Sequence, residues 1–354
     1  MKKCCYTYLI LMSLSSSLLL HAMEQQKQFI QVGKEYFSDK IAVCFSDDMS
    51  KMAYSYKTPH NEHYLSVMGI DNNGFTPDEG MILRSDAQAL CFNTNADQIG
   101  ILTNDGQVTI VHCENDYRCE MPPCRDKVNV FTALAYAQGS AFKKGNFFAT
   151  TKDGELFKIR SGHQDKRVYS LSKDPGIASL NISSLSWNNR GSMIAFIGTA
   201  NICAGYPLGY IHIIPAVESS FLKVIPFKVF SKVITTACFD ECGESLVFAK
   251  DRQISVLNTK DGKMSPLHDA LLFNAAITKV CSAGHNKLFV GLEDGSLYFC
   301  TMQQEYIVNC VKLLQWEHPI AALLYNKEKN LFGVATLHQA ALIKAVSNFV
   351  YELQ

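Results

Sequence analysis

The closest approach to a metal-ligand pattern in this chain is His60-Asn61-Glu62-His63, two histidines three residues apart. Zinc needs three or four ligands in a tetrahedral array. This pair supplies two, in a polar stretch between apolar runs, so the expectation is a solvated loop, and no metal or other cofactor is assigned. Carboxylates come in pairs: Asp47 with Asp48, Asp240 with Glu241, Glu293 with Asp294. Two carboxyls at the right separation can hydrolyse a glycosidic bond, but these fall in turns, where Asp bonds its own backbone. Cys113, Cys119 and Cys124 cluster in a polar connection with Pro122 and Pro123. A disulfide between two of them and free thiols at a strand end both remain open. The chain has no Gly-x-Ser-x-Gly elbow, phosphate-binding Gly-Lys-Ser/Thr loop, His-Glu-x-x-His helix or Cys-x-x-Cys pair. These residues give no reason to expect catalysis.

The chain begins with Lys2 and Lys3, followed by an uncharged apolar or small stretch from Tyr6 to Leu20 and then His21-Ala22. A positive start, an apolar run and a small residue make the tripartite pattern of a secretory signal. Residues 1–22 are therefore read as a signal peptide, cleaved between Ala22 and Met23, with an uncleaved anchor as the alternative. Spanning a bilayer usually takes about 20 apolar residues, and the serines at Ser13 and Ser15 to Ser17 weaken this stretch as an anchor. No later segment is apolar for long enough to span. The expectation is an exported chain, periplasmic or secreted, with residues 23–354 as one domain.

Charge excludes some partners. The 33 basic and 33 acidic residues balance, and no basic field of the kind that holds nucleic acid is present. Hydrophobic residues make up 47% of the chain and charged residues 19%, enough apolar material for a large core.

The elements that would carry these residues repeat. In each copy a short apolar strand ends in an anchor residue, a polar turn follows, then a second strand, a turn often written Asp-Gly, and a third strand. The anchors are Phe45, Phe92, Tyr136, Trp187, Phe239, Ser282 and Tyr325, at separations of 47, 44, 51, 52, 43 and 43 residues. Blades of four-stranded propellers repeat about every 40–50 residues. The Asp-Gly pairs predict type I′ hairpins, with positive φ at both turn residues. Phe221 to Phe230 and Tyr306 to Leu314 fit fourth, outer strands. Phe29 to Val32 fits the outer strand of the last copy, which would remove an open edge.

In period and strand pattern the chain resembles the WD-repeat family of β-propellers over nearly its whole mature length. No copy ends in Trp-Asp or opens on Gly-His. Asp153-Gly154-Glu155-Leu156-Phe157 and Asp294-Gly295-Ser296-Leu297-Tyr298 also look like the quinoprotein-type propellers of bacterial envelope proteins. The resemblance implies an all-β fold, a seven-bladed β-propeller of four-stranded antiparallel blades. It also implies a non-catalytic scaffold that binds a protein partner. An envelope-assembly propeller is the first alternative and a propeller hydrolase or lactonase the second.

The repeat reinterprets the remaining cysteines. Cys44, Cys91, Cys238 and Cys281 each stand one residue before their anchor, so they are expected to be buried, unpaired, small side chains. The expected partner contacts are departures from the repeat: Tyr56 to His63, Cys113 to Lys127 and Thr199 to Leu208. Tyr56, His60, His63 and Tyr206 are their candidate contact residues.

Overall fold

The computed structural model describes residues 28–30, 42–71, 74–113, 119–120, 130–137, 146–159, 166–171, 177–188, 192–202, 207–215, 225–230, 232–264, 272–284, 286–303, 306–336 and 338–344. Every regular element among them is a strand, and the strands form seven antiparallel sheets. Sheet 1 holds Val43–Phe45, Lys51–Lys57, His63–Asp71 and Gly74–Leu83. Sheet 2 holds Ala87–Phe92, Gln98–Thr103, Val108–His112 and Cys119–Glu120. Sheet 3 holds Phe131–Ala137, Asn146–Thr151, Glu155–Ile159 and Lys166–Ser170. Sheet 4 holds Ile177–Trp187, Met193–Ile202, Pro207–Pro215 and Ile225–Phe230. Sheet 5 has three described strands, Thr236–Phe239, Ser245–Lys250 and Gln253–Asn258, where the repeat predicts four. Sheet 6 holds Ile277–Ser282, Lys287–Leu292, Ser296–Gln303 and Tyr306–Gln315. Sheet 7 holds Ile320–Asn326, Leu331–Thr336 and Ala340–Lys344, and its fourth strand is Gln28–Ile30 from the chain's start. Phe29 lies opposite Ala341, so the N-terminal strand has the position the sequence predicts for it.

The strands are so apolar because each sheet is covered on both faces. Ser245–Lys250, Lys287–Leu292 and Leu331–Thr336, all second strands, are buried along five consecutive residues. Such runs are what doubly covered strands require. The core divides into seven clusters, each shared by two sheets. Sheets 1 and 2 share one around Leu65 and Ile99, and sheets 2 and 3 one around Leu102 and Phe147. Phe148 and Phe196 lie between sheets 3 and 4, Ile197 and Phe248 between sheets 4 and 5. Val247 and Val290 lie between sheets 5 and 6, Phe289 and Phe332 between sheets 6 and 7. The seventh cluster joins sheet 7 back to sheet 1 through Leu342, Ala335, Met52 and Phe45. First strands follow the same order: each touches the first strand of the next sheet, and that of sheet 7 touches that of sheet 1.

The anchors take part in this packing unequally. Phe45, Phe92 and Phe239 are buried. Tyr136, Trp187 and Tyr325 are half-buried and lean on aromatic neighbours: Tyr136 on Phe147, Trp187 on Phe148 and Tyr325 on Phe289, with centroids 5.0, 5.0 and 5.9 Å apart.

The Asp-Gly turns differ from the type I′ expectation. Gly106, Gly154 and Gly295 have φ of 77, 81 and 79°, but the preceding aspartates do not have positive φ. Each glycine N–H donates to the carbonyl three residues back, on Thr103, Thr151 and Leu292. This is the three-residue loop in which a left-handed glycine follows a type I turn. The glycine has a second task. Its carbonyl accepts the N–H of the chain entering the next sheet: Phe131 on Gly106, Leu171 on Gly154 and Trp316 on Gly295, at 3.0, 3.2 and 3.0 Å. A Cβ on Gly295 would stand 2.3 Å from the Trp316 carbonyl oxygen. Gly295→Ala should therefore combine a left-handed alanine with a backbone collision and lower unfolding stability by about 1–3 kcal/mol or more. Urea titration measures this, and an unchanged midpoint contradicts the turn's role.

Candidate functional site

The first strand of each sheet pairs with only one strand of its own sheet, so its other backbone edge needs partners. Side chains from the preceding sheet supply some of them. The Thr132 hydroxyl donates to the Ile182 carbonyl at 2.5 Å, Thr235 to Ile277 at 2.8 Å and Thr278 to Ile320 at 2.7 Å. All three threonines stand four residues before their anchors, and all three acceptors stand five before the next anchor. The cysteine row adds a second level. The Ser282 backbone hydrogen-bonds the Cys238 sulfur, and the Tyr325 backbone bonds that of Cys281. Cys44, Cys91, Cys238 and Cys281 carry no disulfide, as expected, but are half-buried rather than sealed. Even so, burial pushes the Cys281 thiol up to about 12 and the other three well above their usual range.

At the other end of these strands, the residue after the anchor clasps the turn. Asn93 Oδ1 accepts the N–H groups of Asp97 and Gln98 at 3.1 and 3.0 Å. Asn188 Oδ1 accepts those of Ser192 and Met193, at 2.8 and 3.0 Å. Ser46 Oγ accepts those of Ser50 and Lys51, at 3.1 and 2.8 Å. Asp240 and Asn326 do the same for Ser245 and Lys329. Sequence reasoning missed this clasp, although its signal was present: a short polar residue directly after the anchor in five of seven copies.

These turns gather charged groups at one end of the first strands. Lys327 pairs with Glu241, reaching from sheet 7 to sheet 5 past the short turn of sheet 6. Burial works against the Asp48 charge, but hydrogen bonds from Ser46 and Ser50 outweigh it and hold the carboxyl below its ordinary range. Asp47 is the exception. The Asn326 amide holds its backbone carbonyl, but its carboxylate accepts no hydrogen bond from the described residues. Burial, reinforced by Asp48, pushes it up to about 6. Its charge also acts on Cys91 of sheet 2 and Tyr136 of sheet 3, so the carboxyl lies on the side where the first strands face one another.

The predicted contact residues are placed differently from expectation. Tyr56 lies in the second strand of sheet 1 and His63 opens the third, so the loop there shrinks to Thr58–Glu62. The extra residues extend the ladder, with Tyr56 opposite Tyr64 and Lys57 opposite His63. His60 is exposed at the tip. The His63 ring bonds Asp86 at 2.7 Å, tying the hairpin to the connection into sheet 2. In sheet 4, likewise, Asn201 pairs with Pro207, so most of Thr199 to Leu208 is strand; Tyr206 lies outside the described residues. Cys113 is half-buried at the end of a strand and Cys119 opens the short strand of sheet 2; Cys124 lies outside the described residues, as do residues 1–27. Among the described residues, the disulfide is one the sequence reading missed. Cys300 and Cys310 face each other directly across the third and fourth strands of sheet 6. Among the described residues, no group of three or more His, Cys, Asp or Glu could hold a metal ion. No helix among them is long and apolar enough to cross a membrane.

No protein-family model matches the chain, and no curated protein matches it.

Two desolvated groups, the half-buried Asp47 and the buried His212, give pH dependences of opposite sign. Asp47 binds its proton more tightly in the folded chain than in the unfolded one. Its ionised form therefore costs up to about 3 kcal/mol above pH ~6, a cost that fades as the pH falls toward ~4. Asp47→Asn should raise unfolding stability by that amount at neutral pH and by nothing near pH ~4. His212 is 8% exposed, its Nε2 lies 3.4 Å from the Tyr169 hydroxyl, and burial lowers its pKa to about 4. The unfolded chain takes up this proton first, so acidification from pH ~6.5 to ~4 should remove about 3 kcal/mol that His212→Leu retains. Denaturant titrations across this range measure both effects, and parallel pH profiles for wild type and variant contradict the corresponding assignment.

Proposed function

We propose that this chain is an exported seven-bladed propeller of the WD-repeat type that binds a protein partner and does not transform it. The observation that carries this reading is the cyclic order of the seven core clusters, from sheet 1 through sheet 7 and back to sheet 1. An open row of sheets would leave one face of its first and last sheets without such a cluster. The N-terminal strand lying in the last sheet supports closure, because it ties the chain's two ends together. Export rests on the pattern of residues 1–22, and the Cys300–Cys310 bridge fits an oxidising compartment. The binding role rests on rigid sheets that carry two lengthened hairpins, in sheets 1 and 4, and on loops being where such frames keep their contacts.

One observation favours the enzyme reading. A carboxyl with a pKa near 6 suits a general acid, and Asp47 has one. Glycoside hydrolysis needs a second carboxyl, and its neighbour Asp48 is committed to Ser46 and Ser50. The binding reading is therefore the better supported.

The test is capture of a partner by the full chain, tagged at its C-terminus and recovered from the exported fraction of its own host. The expected result is a mature start at Met23 and a stoichiometric protein partner. Shortening the Thr58–Glu62 tip and residues 203–206 to tight turns should weaken capture at least about tenfold, the loss of one modest contact cluster. Undiminished capture shows that these hairpins are not the contact surface. Retention of the chain in the cytoplasm overturns export.

A further inference from the structure

The fold brings His318 and His338 together, with ring centroids 4.0 Å apart and planes tilted by 55°. His318 lies in the connection from sheet 6 into sheet 7, and His338 in the turn between the second and third strands of sheet 7. Both are half-buried, so solvent reaches them. The repeat does not ask for His338. The corresponding turns of sheets 2, 3 and 6 carry Asp105-Gly106, Asp153-Gly154 and Asp294-Gly295. The turn of sheet 7 is one residue shorter. Its Thr336 N–H donates to the carbonyl of Gln339, three residues on, whereas the Thr103 N–H donates to that of Gln107, four residues on. The shortened turn carries a histidine where the others carry Asp-Gly.

Hydrogen bonds fix the backbone that carries each ring. Thr336 Oγ1 accepts the N–H groups of His338 and Gln339 at 3.2 and 3.0 Å. The Trp316 N–H donates to the Gly295 carbonyl, and the Gln315 amide donates to the Trp316 carbonyl, both at 3.0 Å. Pro319 narrows the backbone choices of His318. The His318 ring itself is held by no hydrogen bond from the described residues, so it can turn. Two tilted planes converge along one edge, and a half-turn about Cβ–Cγ exchanges the nitrogen that faces it. Two imidazole nitrogens bound side by side to one metal at about 2.0–2.1 Å stand roughly 3 Å apart, with ring centroids roughly 4–5 Å apart. The observed spacing is close to that. The segments 292–295, 316–319 and 336–339 hold Glu293, Asp294 and Glu317 but no Lys or Arg. These three carboxylates are exposed, and their field attracts cations. The pair suggested by sequence spacing is used otherwise: His63 bonds Asp86, and His60 is exposed at its tip.

We propose that His318 and His338 form a two-imidazole site for a divalent copper ion where sheet 6 leads into sheet 7. Cu2+ accepts a tetragonal set of nitrogen and oxygen donors, in which two imidazoles take neighbouring positions and water fills the rest. It also heads the affinity order of the divalent first-row metals, so it is the ion that two ligands can hold. Zinc fits less well, because its sites use three or four protein ligands in a tetrahedral array. No third His, Cys, Asp or Glu completes such a set among the described residues. Binding changes no oxidation state: each neutral imidazole gives one lone pair to the ion, and protons compete for the same nitrogens. The site needs only sheets 6 and 7, so it stands or falls separately from partner binding.

The test titrates Cu2+ into the full-length chain, without a histidine tag, near neutral pH. Calorimetry reads affinity and stoichiometry, and electron paramagnetic resonance reads the donor atoms. The expected result is a single tightly held Cu2+ per chain, with splitting from two imidazole nitrogens. His318→Ala and His338→Ala should each weaken binding by about tenfold or more, because even the loss of a group behind a metal ligand costs about 10–100-fold. Melting temperatures without metal check that these variants fold. His318→Gln and His338→Gln, which keep more of the side-chain bulk, replace any alanine variant that does not. His60→Ala and His63→Ala should bind Cu2+ as the wild type does. Acidification should release the ion. No binding by the wild type overturns the site, as does unchanged affinity in a folded His318 or His338 variant. Sulfur donors in the spectrum, or affinity that ignores pH, overturn the imidazole assignment. Zn2+ held as tightly as Cu2+ overturns the two-ligand site, because zinc would then have further protein ligands.

Discussion

The exposed edge of each first strand is the constraint on which the rest of this molecule depends. A strand with a neighbour on one side only keeps unpaired N–H and C=O groups on the other, and burying them without partners costs about 1–3 kcal/mol each. Here neighbouring sheets supply partners for some of these groups. The hydroxyls of Thr132, Thr235 and Thr278 meet carbonyls of the following sheet, and the sulfurs of Cys238 and Cys281 meet its backbone. Each such bond joins residues 42 to 50 positions apart or their close equivalents, so it fixes how one sheet sits on the next. Apolar packing between sheets is non-directional, and these bonds add a directional complement to it.

Seen from this constraint, what the sequence made legible and what it hid follow a pattern. The period, the anchors and the apolar runs were readable because each is a local property. A strand covered on both faces must be apolar throughout, and Ser245–Lys250 shows it in six residues. The N-terminal strand was readable because the last copy of the repeat is one strand short. The threonine bridges were hidden because Thr132 looks like any strand threonine until Ile182 is placed beside it. The Cys300–Cys310 bridge was hidden for a similar reason. It depends on the register of two strands, and a one-residue slip would turn the two sulfurs to opposite faces. The departures in copies one and four were misread in kind. Added residues were taken for loop, but alternating side chains such as those of Tyr54, Tyr56 and Tyr64 prolong a hairpin.

Asp47 stands apart from this consistency. Where a sequence specifies a fold well, its local choices agree with its packing, and disagreement concentrates where function intervenes. The clasp positions show the agreement: Ser46, Asn93 and Asn188 are buried polar residues with their oxygens occupied. Asp47 sits beside a clasp, yet no described donor meets its carboxylate.

The same geometry bears on how the chain assembles. Within every sheet the successive strands follow one another in sequence, so each of these pairings closes a short loop. The pairing of Gln28–Ile30 with Ala340–Leu342 is different, because it joins the two ends of the described chain. Loop-closure entropy grows only with the logarithm of loop length, so this closure costs a few kcal/mol and not tens. Most of that cost is already met once the other sheets have stacked, because the stack itself brings sheet 7 to sheet 1 through Phe45, Met52, Ala335 and Leu342. The terminal strand then adds ladder hydrogen bonds to an edge already in place. Local sheets, then threonine and cysteine bridges between neighbours, then the terminal strand: in this order each step covers an edge the previous one left open. The strand Gln28–Ile30 can pair only once the last sheet exists, because its partner strand is the last one described.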